Sequence, residues 1–306
     1  MVKARIAVIG AGLMGHGIAQ VFAVAGHHVT ITDAATANLT TVKDRIAANL
    51  RELGEDEGAV ARVRPCNDLT EAVRSADYVV EAISEDLALK QKLFADIEPH
   101  VRRDTILASN TSVIPITSIM QGLAVRERAL GTHWWNPPFL LPLVEVIETQ
   151  WTSPDAVAWT MKLHEAANKK PAHVKKDVPG FIGNRLQHAL WREAISLVEH
   201  GICDAETVDD VIKSSFGRRL SVLGPLENAD LVGTDLTLAI HNTELPANDS
   251  RPQPSPYLQR LVADGKLGFK SGEGFCKWSA SEQAALRVKV IQHLKSQLGT
   301  LERADL

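Results

Sequence analysis

Short apolar runs alternate with segments of helical periodicity along the first half of the chain. The runs are compact and rich in β-branched residues, which is typical of buried strands, and they lie at 5–9, 28–32, 78–83, 105–108, 129–132 and 143–147. Between them apolar residues recur three and four positions apart, which predicts helices at 17–25, 36–53, 87–97 and 157–167. This alternation predicts an α/β fold, a doubly wound parallel sheet of the Rossmann type.

Helical periodicity alone continues after the Pro179-Gly180 break. It predicts helices at 181–200, 205–214, after Pro225 and at 257–263, and an irregular loop at 242–256. We therefore predict two domains, a Rossmann domain at 1–178 and an all-helical domain at 179–306. An apolar stripe from Leu286 to Leu301 predicts a last helix within 282–306, which packs either on its own domain or on a partner subunit.

Composition narrows the class of protein. The 306 residues are 45% hydrophobic and 23% charged, with a net charge of -4, which is ordinary for a soluble protein and argues against a nucleic-acid surface. Three isolated cysteines predict neither a zinc site nor a disulfide framework, so no metal is expected. The absence of a signal-like or membrane-spanning apolar run predicts a cytoplasmic protein without membrane partners.

A glycine-rich turn follows the first predicted strand and opens the first helix. Gly10 permits the tight turn, Gly12 lets the backbone approach a pyrophosphate, and Gly15 lets helix and strand pack closely. Asp33 stands 21 residues beyond Gly12, at the spacing of a carboxylate that binds the adenosine ribose hydroxyls. Because alanines follow Asp33 and no arginine is adjacent, we predict NAD rather than NADP, which remains the alternative.

His133 directly follows the apolar run 129–132, and Glu145 lies inside the next run, 143–147, with three prolines between the two runs. If these strands lie side by side, the carboxylate can face one imidazole nitrogen and leave the other as a base. The alternative is a histidine that caps a strand and a glutamate on a solvated face.

These features resemble the short-chain L-3-hydroxyacyl-CoA dehydrogenase family over the chain to about Ser279. The matching motifs, in order along the chain, are the glycine-rich turn with Asp33, Val79-Val80-Glu81-Ala82-Ile83, Ser109-Asn110-Thr111-Ser112, Gly131-Thr132-His133 with Asn136-Pro137, Leu143-Val144-Glu145-Val146, Pro179-Gly180-Phe181-Ile182 with Asn184-Arg185, Gly224-Pro225 and 270–275. So many independent matches in the right order are a poor fit to chance.

The resemblance implies an NAD-dependent dehydrogenase that oxidises a secondary hydroxyl and forms a homodimer through its helical domain. His133 would take the hydroxyl proton, Glu145 would hold the imidazole, and Ser112 and Asn184 would bind the substrate oxygen. It also implies cofactor contacts at Ala82 and, near the nicotinamide half, at Glu85, Lys90, Asn110, Asn136 and Lys270. For Lys90 a solvated helix lysine is the alternative.

Three departures from the family concern the substrate. The lysine-rich tail that meets CoA in the family is shortened here and carries Glu52, Glu55, Asp56 and Glu57, which would repel CoA phosphates. The sequence Trp134-Trp135-Asn136-Pro137-Pro138 is similar to relatives that oxidise free acids and zwitterions, such as gulonate, carnitine and pyridine-carboxylate dehydrogenases. Both tryptophans are candidate pocket residues, with core packing of at least one as the alternative.

The third departure is the arginine pair Arg218-Arg219, which suits a substrate carboxylate unless it is simply solvated surface. The main functional prediction is therefore a 3-hydroxyacyl-CoA dehydrogenase-like enzyme, and the alternative is a dehydrogenase of a free small hydroxy acid. A non-catalytic, NAD-binding structural protein is the hypothesis from another class. The complete set of His133, Glu145, Ser112 and Asn184 favours an enzyme.

Overall fold

The computed structural model describes residues 3–298. Within this range the chain forms two compact units. Residues up to Arg185, together with those from His293 onward, form the first unit, and Leu186–Gln292 form the second. The predicted boundary after Val178 stays a prediction.

An eight-stranded sheet forms the centre of the first unit. Its strands in chain order are β1 Arg5–Ile9, β2 His28–Thr32, β3 Val63–Pro65, β4 Tyr78–Glu81, β5 Ile106–Ser109, β6 Ala129–Trp134, β7 Leu143–Glu148 and β8 Lys170–Val174. Their spatial order is β3-β2-β1-β4-β5-β6-β7-β8, and every neighbouring pair is parallel except β6 with β7, which is antiparallel. The predicted doubly wound sheet is confirmed, with one reversal at β7.

Helices connect the strands and build the second unit. In chain order they are α1 Leu13–Val24, α2 Thr36–Leu53, α3 Leu69–Arg74, α4 Leu87–Ile97, α5 Ile116–Met120, α6 Pro154–Ala166, α7 Gly183–Glu199, α8 Ala205–Ser214, α9 Pro225–Val232, α10 Thr234–Glu244, α11 Pro256–Ala263 and α12 Ala280–Gln297. Short 3-10 helices lie at Glu57–Arg62, Glu98–His100, Arg126–Arg128, Phe216–Arg218 and Leu245–Ala247. No described helix is both long and apolar enough to cross a bilayer.

Two hydrophobic clusters cover the two faces of the sheet. One includes Phe22 and Ile46 from α1 and α2, and the other includes Phe94 and Ile97 from α4. The central strands are buried on both faces, which is why their sequences read as unbroken apolar runs rather than alternating ones. Helices cover both faces and leave the carboxyl ends of the parallel strands uncovered. We call this end of the sheet the open edge, and a ligand can bind there.

The second unit is helical, as predicted, but it buries few of its apolar side chains. Val208 and Leu261 are its only buried hydrophobic residues among those described, whereas Val222, Leu226 and Leu231 are each more than two-thirds exposed. Ion pairs link its segments instead: the Arg251 guanidinium donates hydrogen bonds to Asp249 and to Glu199.

Several elements differ from the sequence prediction. The short strand β3 and the helices α3 and α5 were not predicted, because each is six residues or fewer and shows little periodicity. Helix α10 runs to Glu244 and so ends inside the predicted loop. The predicted last helix begins at Ala280, and residues 299–306 of that prediction lie outside the described part of the chain.

Candidate active site

The glycine-rich turn joins β1 to α1 at the open edge of the sheet. Gly10 adopts φ +100°, and a Cβ there would lie 2.5 Å from the Ala82 carbonyl oxygen. A Cβ on Gly15 would lie 1.7 Å from the carbonyl oxygen of Gly10, whereas one on Gly12 would meet nothing within 4 Å. Gly10 and Gly15 therefore permit the tight turn and close packing, and Gly12 leaves space for a ligand.

Asp33 closes the same turn from the end of β2. Its Oδ2 accepts from the Ala11 amide at 2.7 Å and from Asn38 Nδ2 at 3.1 Å, and its Oδ1 accepts from the Ala35 amide at 2.7 Å. A cavity of about 500 Å³ lies beside it, lined by residues that include Gly10, Gly12, Asp33, Asn67, Ala82 and Ile83. A cavity bounded by the glycine turn and a carboxylate fits the adenosine half of a dinucleotide.

Arg45 supports the turn from α2, a role that sequence reasoning missed. Its Nη2 donates to the Ala11 carbonyl oxygen at 2.7 Å and to the Asn38 carbonyl oxygen at 2.9 Å. Nothing in the sequence separates this arginine from others on helix surfaces, since both partners are backbone carbonyls and Ala11 lies 34 residues away in the chain.

The antiparallel pairing of β6 with β7 places His133 directly opposite Glu145. His133 Nδ1 lies 2.7 Å from Glu145 Oε2, and both side chains are buried. The other carboxylate oxygen, Oε1, accepts from the amides of Ile182 at 2.8 Å and Gly183 at 3.0 Å, where α7 begins. The predicted meeting of the two residues is confirmed, and the helix terminus is an additional partner.

These contacts fix the charge of Glu145. Burial alone would raise the pKa of this carboxyl, but the hydrogen bonds from His133 and from the Gly183 and Ile182 amides outweigh burial and lower it. Glu145 is therefore ionised at neutral pH, so His133 Nδ1 must donate to it. That tautomer leaves Nε2 with a lone pair that can accept a proton.

Two aromatic rings lie against the imidazole of His133. The ring centroid of Trp135 is 5.4 Å from the imidazole centroid, and the ring centroid of Phe181 is 5.6 Å from it. The indole of Trp135 rests on Gly183, where a Cβ would lie 2.4 Å from Cζ2. Only glycine at position 183 leaves room for this indole.

Trp134 lies in the core and not beside the imidazole. It is 2% exposed and packs against Phe22 and His164 on the other face of the sheet. Successive strand residues point to opposite faces, so Trp134 and His133 diverge. The hypothesis that Trp134 forms the substrate pocket is wrong for this reason, and the alternative that one tryptophan packs in the core is confirmed.

Ser112 and Asn184 lie next to each other: Asn184 Nδ2 donates to the Ser112 carbonyl oxygen at 2.9 Å. Asn110, in the same loop, accepts from the Trp134 amide at 3.0 Å and so ties the loop to β6. The structure brings these predicted residues to one edge of the sheet, and their contacts with substrate or cofactor remain predictions.

Lys90 is fully buried, so the alternative of a solvated helix lysine is wrong. Its ammonium lies 2.5 Å from Glu81 Oε1 and 3.5 Å from Glu85 Oε2. Glu85 in turn accepts hydrogen bonds from the loop that carries Ser112. Sequence reasoning did not single out Glu81 as a site residue, because it appears as one polar position inside a buried strand.

The remaining predicted residues are exposed. Asn136 follows β6, whereas Arg218, Arg219 and Lys270 belong to the second unit, so their roles toward substrate and cofactor stay predictions. No group of three or more potential metal ligands occurs within residues 3–298.

The acidic segment after α2 is not a free negative surface. Glu52 is paired with Lys295 and Glu57 with Arg51, both at 2.8 Å, and Asp56 caps a 3-10 helix by accepting from the Gly58 amide. The two ion pairs weaken the expected electrostatic repulsion of CoA phosphates, because Lys295 and Arg51 offset two of the four acidic charges.

Comparison with known proteins gives one consistent result. The profile of the 3-hydroxyacyl-CoA dehydrogenase NAD-binding domain matches residues 5–178, and that of the 3-hydroxyacyl-CoA dehydrogenase C-terminal domain matches 180–278. The chain is 35% identical to 5-formyl-3-hydroxy-2-methylpyridine 4-carboxylate 5-dehydrogenase of Mesorhizobium japonicum, over 93% of this chain and 94% of the relative. It is 38% identical to human mitochondrial hydroxyacyl-coenzyme A dehydrogenase, over 90% and 91%.

Solved structures give a graded likeness. The crystal structure of a 5-formyl-3-hydroxy-2-methylpyridine 4-carboxylic acid 5-dehydrogenase, described as an NAD+-dependent dismutase, superposes with a TM-score of 0.91 at 33% identity, over 98% of this chain and 99% of that one. The (S)-3-hydroxybutyryl-CoA dehydrogenase of Ralstonia eutropha superposes with a TM-score of 0.76 at 31% identity, over 90% and 99%.

The first test concerns the carboxylate that holds the imidazole. We expect Glu145→Gln to lower kcat by about a hundredfold or more, the lower range of positioned proton transfer, because a neutral amide cannot stabilise the imidazolium. NAD affinity should stay within about twofold, since this carboxylate contacts only His133 and the start of α7. Steady-state kinetics and fluorescence titration with NADH measure the two effects.

Glu148→Gln is the matched control, because Glu148 pairs with His173 at 2.8 Å on the neighbouring strand but is partly exposed. It should leave kcat unchanged. Equal losses in both variants, or an active Glu145→Gln enzyme, would contradict the assignment of Glu145.

Proposed function

The chain belongs to the 3-hydroxyacyl-CoA dehydrogenase family, and we propose that its substrate is a small free hydroxy acid rather than a CoA thioester. It is an NAD-dependent dehydrogenase that acts on CH–OH groups. We further propose the roles of individual residues, the oligomeric state and the compartment.

NAD fits the residues at the open edge of the sheet. Gly10, Gly12 and Gly15 would hold the pyrophosphate at the start of α1, and Asp33 would accept from the adenosine ribose hydroxyls. A 2′-phosphate would meet the Asp33 carboxylate, which is the reason for proposing NAD over NADP. When bound, NAD supplies the acceptor for the hydride that leaves the substrate carbon.

The proton chemistry follows from the contacts of His133. Nε2 takes the proton of the substrate hydroxyl, and the ionised Glu145 stabilises the imidazolium that results. Oε1 of Glu145 is already saturated by two amides, so the carboxylate keeps its charge and its position while the imidazole changes charge. In the reverse direction the imidazolium returns the proton to the alkoxide oxygen.

Ser112 and Asn184 are the proposed partners of the substrate oxygen. Donors near that oxygen would stabilise negative charge as the proton leaves and would orient the carbon for hydride transfer. The proximity of Asn184 to the Ser112 backbone supports this pairing of roles.

The choice of a free acid depends mainly on one observation. The chain matches the pyridine-carboxylate enzyme with a TM-score of 0.91 over 98% of its length, against 0.76 over 90% for the CoA enzyme. The Trp135 indole against His133 adds support, because a flat wall beside the base suits a compact or planar substrate.

A CoA thioester is the second candidate. It is favoured by the 38% identity with the human hydroxyacyl-coenzyme A dehydrogenase and by the paired, rather than free, acidic residues after α2. A non-catalytic NAD-binding protein is disfavoured, because a buried imidazole with an ionised partner on Nδ1 and a lone pair on Nε2 is the arrangement that a general base needs.

We also propose a homodimer in the cytoplasm. The second unit, with Val208 and Leu261 as its only buried hydrophobic side chains in the described range, leaves its apolar surface in water unless a partner covers it. A second copy would bury that surface, including an apolar cavity of about 610 Å³ lined by Trp191, Phe275 and Trp278. The cytoplasm is proposed because Cys66, Cys203 and Cys276 are all free thiols.

The proposed substrate class is tested by NADH formation. The purified enzyme is assayed with 3-hydroxybutyryl-CoA and, in parallel, with 3-hydroxybutyrate, gulonate, carnitine and a hydroxymethyl-pyridine carboxylate. We expect at least one free acid to exceed the thioester about tenfold or more in kcat/KM, a difference of about 1.4 kcal/mol in transition-state binding. Turnover of the thioester with none of the acids would overturn the choice of substrate and leave the dehydrogenase chemistry intact.

The proposed dimer is tested by light scattering. The protein should have twice the 33.3 kDa chain mass at micromolar concentration, and Tm should rise with concentration because folding is linked to association. Replacing Leu226 and Leu231, both exposed on α9, by charged residues should lower the mass of the particle in solution or its helix content. Val24→Glu on α1 should change neither. A monomer whose Tm is independent of concentration would contradict the proposal.

A further inference from the structure

A chain of charged side chains, two of them fully buried, connects strand β4 to the loop that carries Ser112. Glu81, the last residue of β4, and Lys90 on α4 are both fully buried and lie 2.5 Å apart. Glu81 Oε1 also accepts from the Ile83 amide at 2.7 Å, and Oε2 accepts from the Ser109 hydroxyl at 2.6 Å. The carboxylate of Glu81 is therefore fixed on every side.

Glu85 forms the next link. Its Oε2 lies 3.5 Å from the Lys90 ammonium, while Oε1 accepts from the Thr111 hydroxyl at 2.5 Å and from the amides of Ser112 at 2.9 Å and Val113 at 3.2 Å. One oxygen thus faces the ammonium and the other holds the loop.

The charge of Glu85 follows from these contacts. Burial alone would raise the pKa of this carboxyl, but the hydrogen bonds from Thr111 and the Ser112 amide, with the Lys90 charge, lower it. The ammonium of Lys90 consequently lies between two carboxylates, and it is closer to Glu81 by 1.0 Å.

Stability gives little reason for such an arrangement. Glu81 and Lys90 lose their hydration on burial, whereas Glu85 stays partly exposed, and a buried pair is often no better than apolar residues of the same volume. We therefore attribute the network to the geometry that it imposes on its neighbours. Its outermost contact is the backbone of the loop that carries Ser112.

We infer that Glu81 is a positioning residue for the dehydrogenase reaction, which it serves by holding Lys90 so that Glu85 remains on the loop of Ser112. The inference depends on the role proposed above for Ser112. Without the charge of Glu81, Glu85 becomes the only counter-ion of a buried ammonium and is drawn toward it. The hydrogen bonds from Thr111, Ser112 and Val113 then lengthen, and the loop loses its anchor.

Two other hydrogen bonds of the loop that carries Ser112 explain why a shift of this loop would reach the reacting atoms. Asn110 is bonded to the Trp134 amide, next to His133, and Asn184 is bonded to the Ser112 carbonyl oxygen. With these two contacts fixed, loss of the Glu85 anchor turns the Ser112 side chain relative to the imidazole. Misplacement of a positioned group by about 1 Å can cost about a hundredfold in rate.

A double-mutant cycle on kcat tests the inference. The variants are Glu81→Gln, Ser112→Ala and the two combined, each assayed with NAD and with the free acid that gives the highest turnover, or with 3-hydroxybutyryl-CoA if no acid reacts. We expect Glu81→Gln to lower kcat about tenfold or more in the wild-type background and less than about twofold in the Ser112→Ala background. The NAD dissociation constant, from NADH fluorescence, should change much less than kcat.

The matched control is Glu71→Gln, which removes the carboxylate of an exposed ion pair with Arg64 at 2.6 Å. It should leave kcat unchanged. If Glu81→Gln folds poorly, Glu81→Asp keeps the charge on a side chain one methylene shorter. This variant should retain more kcat than Glu81→Gln in the wild-type background, and equal losses in the two variants would contradict the role of the charge.

The outcomes distinguish the role of Glu81 from the role of Ser112. An equal loss from Glu81→Gln in both backgrounds, or no loss at all, overturns the positioning role and leaves Ser112 as proposed. Full activity of Ser112→Ala refutes the role of Ser112 itself, and the inference about Glu81 falls with it.

Discussion

The hydrogen bond between His133 and Glu145 is the interaction on which the site depends, and it exists because the sheet reverses direction once. The strands β1 to β6 run parallel and bring their carboxyl ends to one edge. The antiparallel pairing of β6 with β7 places His133 opposite Glu145, at 2.7 Å between Nδ1 and Oε2. The start of α7 then supplies two amides to the other oxygen, so that one carboxylate connects a strand, a base and a helix.

Charge at the open edge is held by burial and partners rather than by exposure to water. Glu145 is kept ionised by two amides and an imidazole, and Lys90 is kept between Glu81 and Glu85. Glu145 lies within β7 and Lys90 on α4, both buried, where unpaired charges would be costly. The same edge carries the glycine turn and Asp33, so the proposed cofactor site and the proposed base lie within one unit.

Much of this organisation could be predicted from the sequence, because it depends on local patterns. The β1, β2, α2, α4 and α8 segments were predicted at their observed bounds, and two apolar runs were enough to suggest that His133 meets Glu145. What could not be predicted depends on contacts between distant residues. The burial of Lys90, the support of the glycine turn by Arg45 and the separation of Trp134 from Trp135 across the sheet all require the packed structure. The pairing of Glu52 with Lys295 similarly joins residues 243 positions apart.

The most direct test of proton transfer by His133 is to compare turnover with cofactor binding in His133→Gln. Glutamine keeps a polar side chain of similar reach but cannot act as a base near neutral pH. We predict an NAD dissociation constant within about twofold of the wild-type value and a kcat at least about a hundredfold lower, the range assigned to general-base catalysis. Turnover close to the wild-type rate in this variant would contradict the role of His133 as the base.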